Sequence, residues 1–422
     1  MQVFKFGGAS VKDAEGVVNL GRIISSHRNN TLLIVVSAMG KTTNLLEELT
    51  IAYTKQQDDP FALLQQTKQY HDDIMHALFA DDNHPVFNEV ANRFVEIEWI
   101  LEEYPADPFD YLYDQIVSIG ELVSTTIVSH YLNEIGVKSK WLDAREYIVT
   151  DNTHREAHVD WAATEIRIRS AIPDILEKQL VVTQGFIGST TENFTTTLGR
   201  EGSDYSAAIF AACLGAESVT IWKDVPGVLN ADPKWFDETL LIPELSYLDA
   251  IELTYYGATV IHPKTIKPLQ NKDITLYVKS FVDIENGGTQ IRGTNGSLPV
   301  PSFIFKVNQV LVSILPKDFS FIVEDNLSDI FSRFHLHKIK VNMMHNSAVS
   351  FSVSIDDTGD NVLALLDDLR ARYDVAHQRG LELITIRYYN QQTIDRVLVD
   401  KEIIMELKDS CTCQLLVRKL QG

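Results

Sequence analysis

Short apolar runs recur along the first two thirds of the chain, with helical stretches between them. The runs are Val3 to Phe6, Leu32 to Ser37, Lys140 to Leu142, Leu180 to Thr183, Ser218 to Trp222 and Ile274 to Val278. Strands alternating with helices make an α/β domain with a largely parallel sheet. A long helical region interrupts the alternation at about residues 44–135. There the segments NLLEELTIAY, FALLQQTKQYHDDIMHALF and FNEVANRFVEIEWILEEY place apolar residues at three- and four-residue spacing.

The pattern changes after Gly287 to Ser302, a stretch rich in Gly, Pro, Ser, Thr and Asn that reads as a linker or domain edge. Strand, helix, strand, strand, helix and strand are then expected at 310–315, 326–337, 341–344, 349–355, 361–372 and 375–378. That order is the ferredoxin-like split unit. Leu383 to Tyr388 starts another strand, with too little chain behind it for a full second unit. The expected division is a first domain at 1–295 and a second at 303–422, made of one full unit and a shortened one.

Hydrophobic residues are 45% of the chain and charged residues 23%, ordinary values for a globular protein. The N-terminus lacks the sections of a signal peptide, so a cytoplasmic protein is expected. Three cysteines, Cys213, Cys411 and Cys413, make no disulfide framework and no zinc pattern. The formal net charge of -21 disfavours nucleic acid and anionic membranes as partners. An anionic ligand would need positive charge concentrated locally, as a few Lys or Arg among glycines.

Five segments carry such chemistry. No P-loop, dinucleotide fingerprint, zinc-protease or hydrolase motif is present. Lys5-Phe-Gly-Gly-Ala-Ser-Val11 puts a lysine at a strand end, two glycines behind it, and Ser10 and Asp13 as a capping box for the next helix. Glycines let backbone N–H groups approach a phosphate, and the lysine adds a point charge. A tight turn with a snorkelling lysine fits the same residues. Thr195-Thr-Thr-Leu-Gly-Arg-Glu-Gly-Ser-Asp204 sets Arg200 between glycines, ready for bidentate carboxylate binding. It also supplies Ser203 as a helix cap, Asp204 in the first turn and Gly215 at the helix end. Lys223 to Lys234 follows an apolar strand, at the sheet edge where α/β proteins bind ligands. Glu121 begins a helix, and taken alone reads as a solvated residue. His262, in Tyr256 to Lys264, has no partner at metal-ligand spacing and reads as a packed or hydrogen-bonded histidine.

Taken in order, these segments resemble the aspartate kinases of the amino-acid kinase superfamily. The chain has KFGGASV, VVSA with Thr43-Asn44, Ile119-Gly-Glu121, GFIG at 185–188, TTLGREGSD, DVPG with Asp232-Pro233, GATVIHP and Gly287-Gly-Thr289. The resemblance covers nearly all of residues 1–295. It implies a three-layer αβα sandwich, followed by a C-terminal ferredoxin-like ACT domain. It further implies Mg-ATP-dependent phosphorylation of the aspartate side chain to 4-phospho-L-aspartate, the first step towards lysine, threonine and methionine. A homodimer with an amino-acid effector at the ACT region comes with it, and no metal ligand from the protein.

The resemblance assigns roles at matching positions. Lys5, with Gly7 and Gly8, would hold the transferring phosphoryl group. Asp204 would orient the lysine. Arg200 would hold the α-carboxylate of aspartate and Glu121 its amino group, with Thr43 and Ser203 lining the same pocket. Lys223, Asp224, Leu229, Lys234, Thr259 and Val260 fall where the family holds the nucleotide. Glu201 replaces a family glycine, Leu229 a frequent tyrosine, and Thr259 a lysine whose charge Lys264 could supply. Two rivals share much of this pattern: a superfamily member acting on glutamate or acetylglutamate, and a non-catalytic amino-acid sensor.

Overall fold

In the computed structural model the chain is described for residues 1–420, except 29, 237, 259–260, 294–299 and 319. It divides into two compact units. The first takes in 1–228 and 241–251 and resumes at Ile261. The second takes in 229–240, 252–258 and the chain from Val300 onwards.

The first unit begins as the alternation requires. β1 (Gln2–Phe6), α1 (Ala14–Ser26) and β2 (Leu32–Val36) follow one another, and every residue of β2 is buried. The helical insertion is α2 (Thr42–Lys55), α3 (Pro60–Leu78), α4 (Pro85–Glu102), α5 (Phe109–Val117) and α6 (Ile119–Glu134). Proline opens α3 and α4, where the missing N–H costs nothing. α6 is buried on nearly all sides, between α4 and the sheet.

β3 (Ser139–Leu142), α7 (Trp161–Leu176) and β4 (Leu180–Gln184) come next. A hairpin of β5 (Ile187–Ser189) and β6 (Thr195–Thr197) leads into α8 (Gly202–Leu214) and β7 (Ser218–Lys223). β8 (Glu244–Ser246), α9 (Tyr247–Tyr256), α10 (Pro263–Asn271), β9 (Thr275–Ser280) and β10 (Thr289–Arg292) complete this part of the chain. The sheet order is β3-β4-β2-β1-β7-β9-β10-β8, and only the β9–β10 pairing is antiparallel. β1 is therefore central: the chain builds outward on its β2 side first and on its β7 side later. Such a reversal opens a crevice at the carboxyl ends of the strands.

Three local expectations change. Ser10 is not a cap: it lies in a 3-10 turn, and its hydroxyl donates to the Trp222 carbonyl at 3.4 Å. Asp13 caps α1 instead, accepting from the Gly16 N–H at 2.8 Å. Ser203 lies inside the first turn of α8; the cap position belongs to Glu201, in the left-handed region at φ 54°. The stretch taken as a linker contributes β10 to the sheet.

In the second unit, β11 (Ser302–Pro316), α11 (Glu324–Leu336), β12 (Val341–Asn346), β13 (Phe351–Asp356), α12 (Asp360–Arg370) and β14 (Tyr373–Arg387) realise the ferredoxin-like order. α13 (Gln391–Val397), β15 (Lys401–Lys408) and β16 (Thr412–Lys419) follow. One antiparallel sheet holds all six strands, ordered β12-β13-β11-β14-β16-β15.

The two runs at 375–378 and 383–388 are thus one long strand. β11 is equally long, because it serves both halves: Ser302 to Lys306 pairs with Leu383 to Arg387, and Gln309 to Pro316 pairs with 373–381. The short half has a strand ahead of the full unit, which the sequence reading did not see. Among the described residues one helix, α13, belongs to it. Ala231 and Phe236 pack into its core, with the Phe236 ring 4.8 Å from that of Phe303. No helix of the described residues is long and apolar enough to cross a membrane.

Candidate active site

At the carboxyl end of β1, Lys5 is paired in register with Val35 of β2 and Ile221 of β7. Its ammonium lies 2.6 Å from Asp204 Oδ1, and the Lys223 ammonium lies 3.8 Å from Oδ2 of the same carboxylate. Lys5 is 8% exposed and Asp204 2%. Burial alone would push the Asp204 carboxyl up. The two ammoniums outweigh it and hold the group below the ordinary carboxylate range. Asp204 also stands in the first turn of α8, where the helix dipole favours negative charge.

Beside this cluster, the backbone at Gly8 touches a neighbouring segment with no room for a side chain. A methyl on Gly8 would lie 2.7 Å from the Ala38 carbonyl, and the Gly40 N–H donates to the Gly8 carbonyl at 3.0 Å. A methyl on Gly7 would stand 3.5 Å from the Lys5 ammonium. Gly8 is therefore packed against the loop after β2, which leads to Thr43 in the first turn of α2.

Glu121, read in isolation as solvated, is 2% exposed. α6 brings it to this loop. Ser124 donates to the Ser37 carbonyl at 2.7 Å, and a methyl on Gly120 would meet Thr42 and Ala38 at 3.0 and 3.2 Å. The Ala38 N–H donates to Glu121 Oε1 at 3.3 Å, whereas Oε2 is buried without a hydrogen-bond partner. Burial pushes this carboxyl up to about 8, against the pull of the Ala38 N–H and the Lys5 charge. A buried carboxylate oxygen lacking a donor is costly unless a proton or a cationic ligand meets it.

On the other side, Gly185 receives the start of α8. A methyl there would lie 2.5 Å from Ser203 Cβ and 2.7 Å from its Cα. Phe186 follows at φ 71°, a strained conformation for an aromatic residue. Its N–H donates to the Ser206 hydroxyl at 2.9 Å, and its carbonyl accepts from the Leu198 N–H at 2.8 Å. The sequence carried one signal for this turn, the glycine of GFIG. Arg200 is exposed, in the loop just ahead of α8, and has no ion pair among the described residues. Glu201 turns its carboxylate to the start of α10, accepting from the His262 N–H at 3.0 Å. His262 is hydrogen-bonded as expected, its ring accepting from the Lys264 N–H at 3.2 Å.

The nucleotide candidates separate. Lys223 joins the cluster, and Asp224 is exposed beside it. Leu229 and Lys234 belong to the second unit. Thr259 and Val260 lie outside the described residues. Among the described residues no group of three or more His, Cys, Asp or Glu could hold a metal ion.

Residues 1–280 match the model of the amino acid kinase family. The lysine-sensitive aspartokinase 3 of Escherichia coli is 33% identical over 395 residues, covering 91% of this chain and 86% of the relative. This chain is one of the aspartokinases of the amino acid kinase family. The crystal structure of E. coli aspartokinase III with aspartate and ADP superposes with a TM-score of 0.83 at 30% identity, covering 99% of this chain and 96% of that one. The same enzyme has been solved with lysine and aspartate in a T-state. The aspartate kinase of Clostridium acetobutylicum, 22% identical with a TM-score of 0.80, shares the fold. For an aspartokinase, the packing of Gly185 on Ser203 is a sharp constraint, because the obstructing atoms include backbone. Gly185→Ala is expected to cost about 1–3 kcal/mol in chemical denaturation. Gly287→Ala, where an added methyl meets open space, is expected to stay within about 0.5 kcal/mol.

Proposed function

We propose that the chain transfers the γ-phosphoryl group of ATP to the side-chain carboxylate of aspartate. The observation that carries this reading is the buried Lys5–Asp204 pair, joined by the half-buried Lys223, with the partnerless oxygen of Glu121 close enough to feel Lys5. One end suits phosphate and the other an ammonium group.

The attacking carboxylate, with a reference pKa of about 3.9, is ionised at neutral pH, so no general base is required. Its oxygen forms the new bond to phosphorus while the bond to the ADP oxygen breaks. The product is an acyl phosphate, 4-phospho-L-aspartate. Lys5 neutralises charge at the transferring group, Asp204 aims the lysine, and the N–H groups of Gly7 and Gly8 complete the cradle. Arg200 takes the α-carboxylate and Glu121 the amino group, with Thr43 and Ser203 beside them. Lys223 and Asp224 border the nucleotide. Both oxygens of Asp204 face lysines. Mg²⁺ therefore fits as a counter-ion on the nucleotide phosphates, where it supplies charge neutralisation.

In this reading residues 1–295 are the catalytic domain and 303–422 an ACT-type regulatory region. Its roles are dimerisation and the binding of an amino-acid effector.

Trapping with hydroxylamine tests the reaction, using purified protein, Mg-ATP and aspartate, glutamate or acetylglutamate in turn. Hydroxamate from aspartate alone is expected. No product from any of the three, with folded protein that still binds an amino acid, would favour a sensor. Arg200→Ala should raise the KM for aspartate much more than that for ATP; equal effects would count against its role.

The raised Glu121 value gives two pH effects. Between the ordinary carboxylate range and about 8, the folded chain keeps a proton that the unfolded chain has lost. The unliganded protein therefore loses stability as pH rises through that window. Aspartate's ammonium needs the ionised form, so binding releases the proton. Its KM should fall as pH rises towards about 8, by up to about tenfold per pH unit. Glu121→Gln should flatten both profiles, and an unchanged slope would remove Glu121 from the pocket.

A further inference from the structure

Asp114, on α5, is fully buried, although no sequence motif points to it. Its carboxylate accepts from three separate places. The Thr197 hydroxyl donates to Oδ1 at 2.6 Å. The Arg155 backbone N–H reaches both oxygens, at 3.2 and 3.1 Å. His154 Nδ1 lies 2.9 Å from Oδ2.

These contacts join two loops. Thr197 ends β6, and the next residues carry Arg200 into α8. The loop at 154–157 packs directly on that stretch: the Ala157 N–H donates to the Thr197 carbonyl at 2.9 Å, and a methyl on Gly199 would stand 3.1 Å from the Arg155 carbonyl. Arg155 is tied down further. Its guanidinium lies over the Tyr113 ring at 4.3 Å and pairs with Glu47 of α2 at 3.1 Å. α5 itself runs through Ser118 into α6, which presents Glu121 in its first turn.

We propose that Asp114 is a positioning residue for the amino-acid pocket, its buried carboxylate setting where Arg200 stands relative to Glu121. The proposal rests on the reading of Arg200 and Glu121 as the two clamps on aspartate. Asp114 touches neither substrate nor reacting atoms. It acts because α5 leads to the ammonium clamp while its side chain grips the strand that leads to the carboxylate clamp. Its carboxylate is surrounded by donors, so an amide in its place turns a donor towards donors.

The test is steady-state kinetics on the full chain, with hydroxamate readout. Asp114→Asn should raise the KM for aspartate by about tenfold and leave the KM for ATP within about twofold. Thr197→Val keeps the carboxylate and the 154–155 contacts but removes one arm; about a threefold rise for aspartate alone is expected. Melting curves establish that each variant is folded at the assay temperature, and if Asp114→Asn is not, Thr197→Val decides. Equal movement of both KM values, or of neither, in a wild-type protein that makes aspartyl hydroxamate overturns this inference alone. A wild-type protein that makes none overturns the proposed function, and this inference with it.

Discussion

The ion pair between Lys5 and Asp204, with Lys223 on the far carboxylate oxygen, is what the strand ends of the first unit are arranged around. Burying such charges is expensive, and removing one partner of a buried pair typically costs about 3–5 kcal/mol. Here the three groups come from three elements: the end of β1, the end of β7 and the first turn of α8. Two ammoniums face one carboxylate there, in a chain whose net charge is -21. The cluster sits beside Gly8, whose backbone admits no side chain against the Ala38 carbonyl. In the proposed reading an anion of phosphate type completes it.

The rest of the pocket follows from how closely its supports approach. Gly8 meets the loop after β2 and Gly185 meets Ser203, each with too little space for a methyl group, and Gly120 packs tightly on Thr42 and Ala38. Those contacts fix the elements that carry Lys5, Glu121 and Asp204, which the proposed function places around one substrate. Glu121 is the costly member, a buried carboxylate with one donor. In the proposed reading that cost turns into selectivity when an ammonium arrives, because ligands lacking one leave the carboxylate unpaired.

Much of this was legible in the chain. The apolar runs place six of the eight described strands of the first sheet, β1, β2, β3, β4, β7 and β9, and miss the short β8 and β10. Lys5, Gly7, Gly8 and Asp204 stand out as charge among glycines at strand ends. Glu121 does not, because nothing local distinguishes a buried glutamate from a solvated one; its burial depends on α4 and the sheet closing over α6. Asp114 is silent for the same reason, its partners lying at 154, 155 and 197. Phe186 is left-handed because its neighbours hold both its N–H and its carbonyl. The second unit was legible in its full half and, in the other, only in the strand at 383–388. Its other half borrows Ser302 to Lys306 from before the full unit and Ala231 and Phe236 from far upstream, and spacing carries no trace of that pairing.

The most direct measurement is turnover by Lys5→Ala, with folding followed by circular dichroism and aspartate binding by calorimetry on the same preparation. A folded variant that binds aspartate and forms no aspartyl hydroxamate places the phosphoryl-transfer step at the Lys5–Asp204 pair. A variant that turns over as the wild type does would contradict it, leaving the pair as a structural anchor and the chemistry elsewhere.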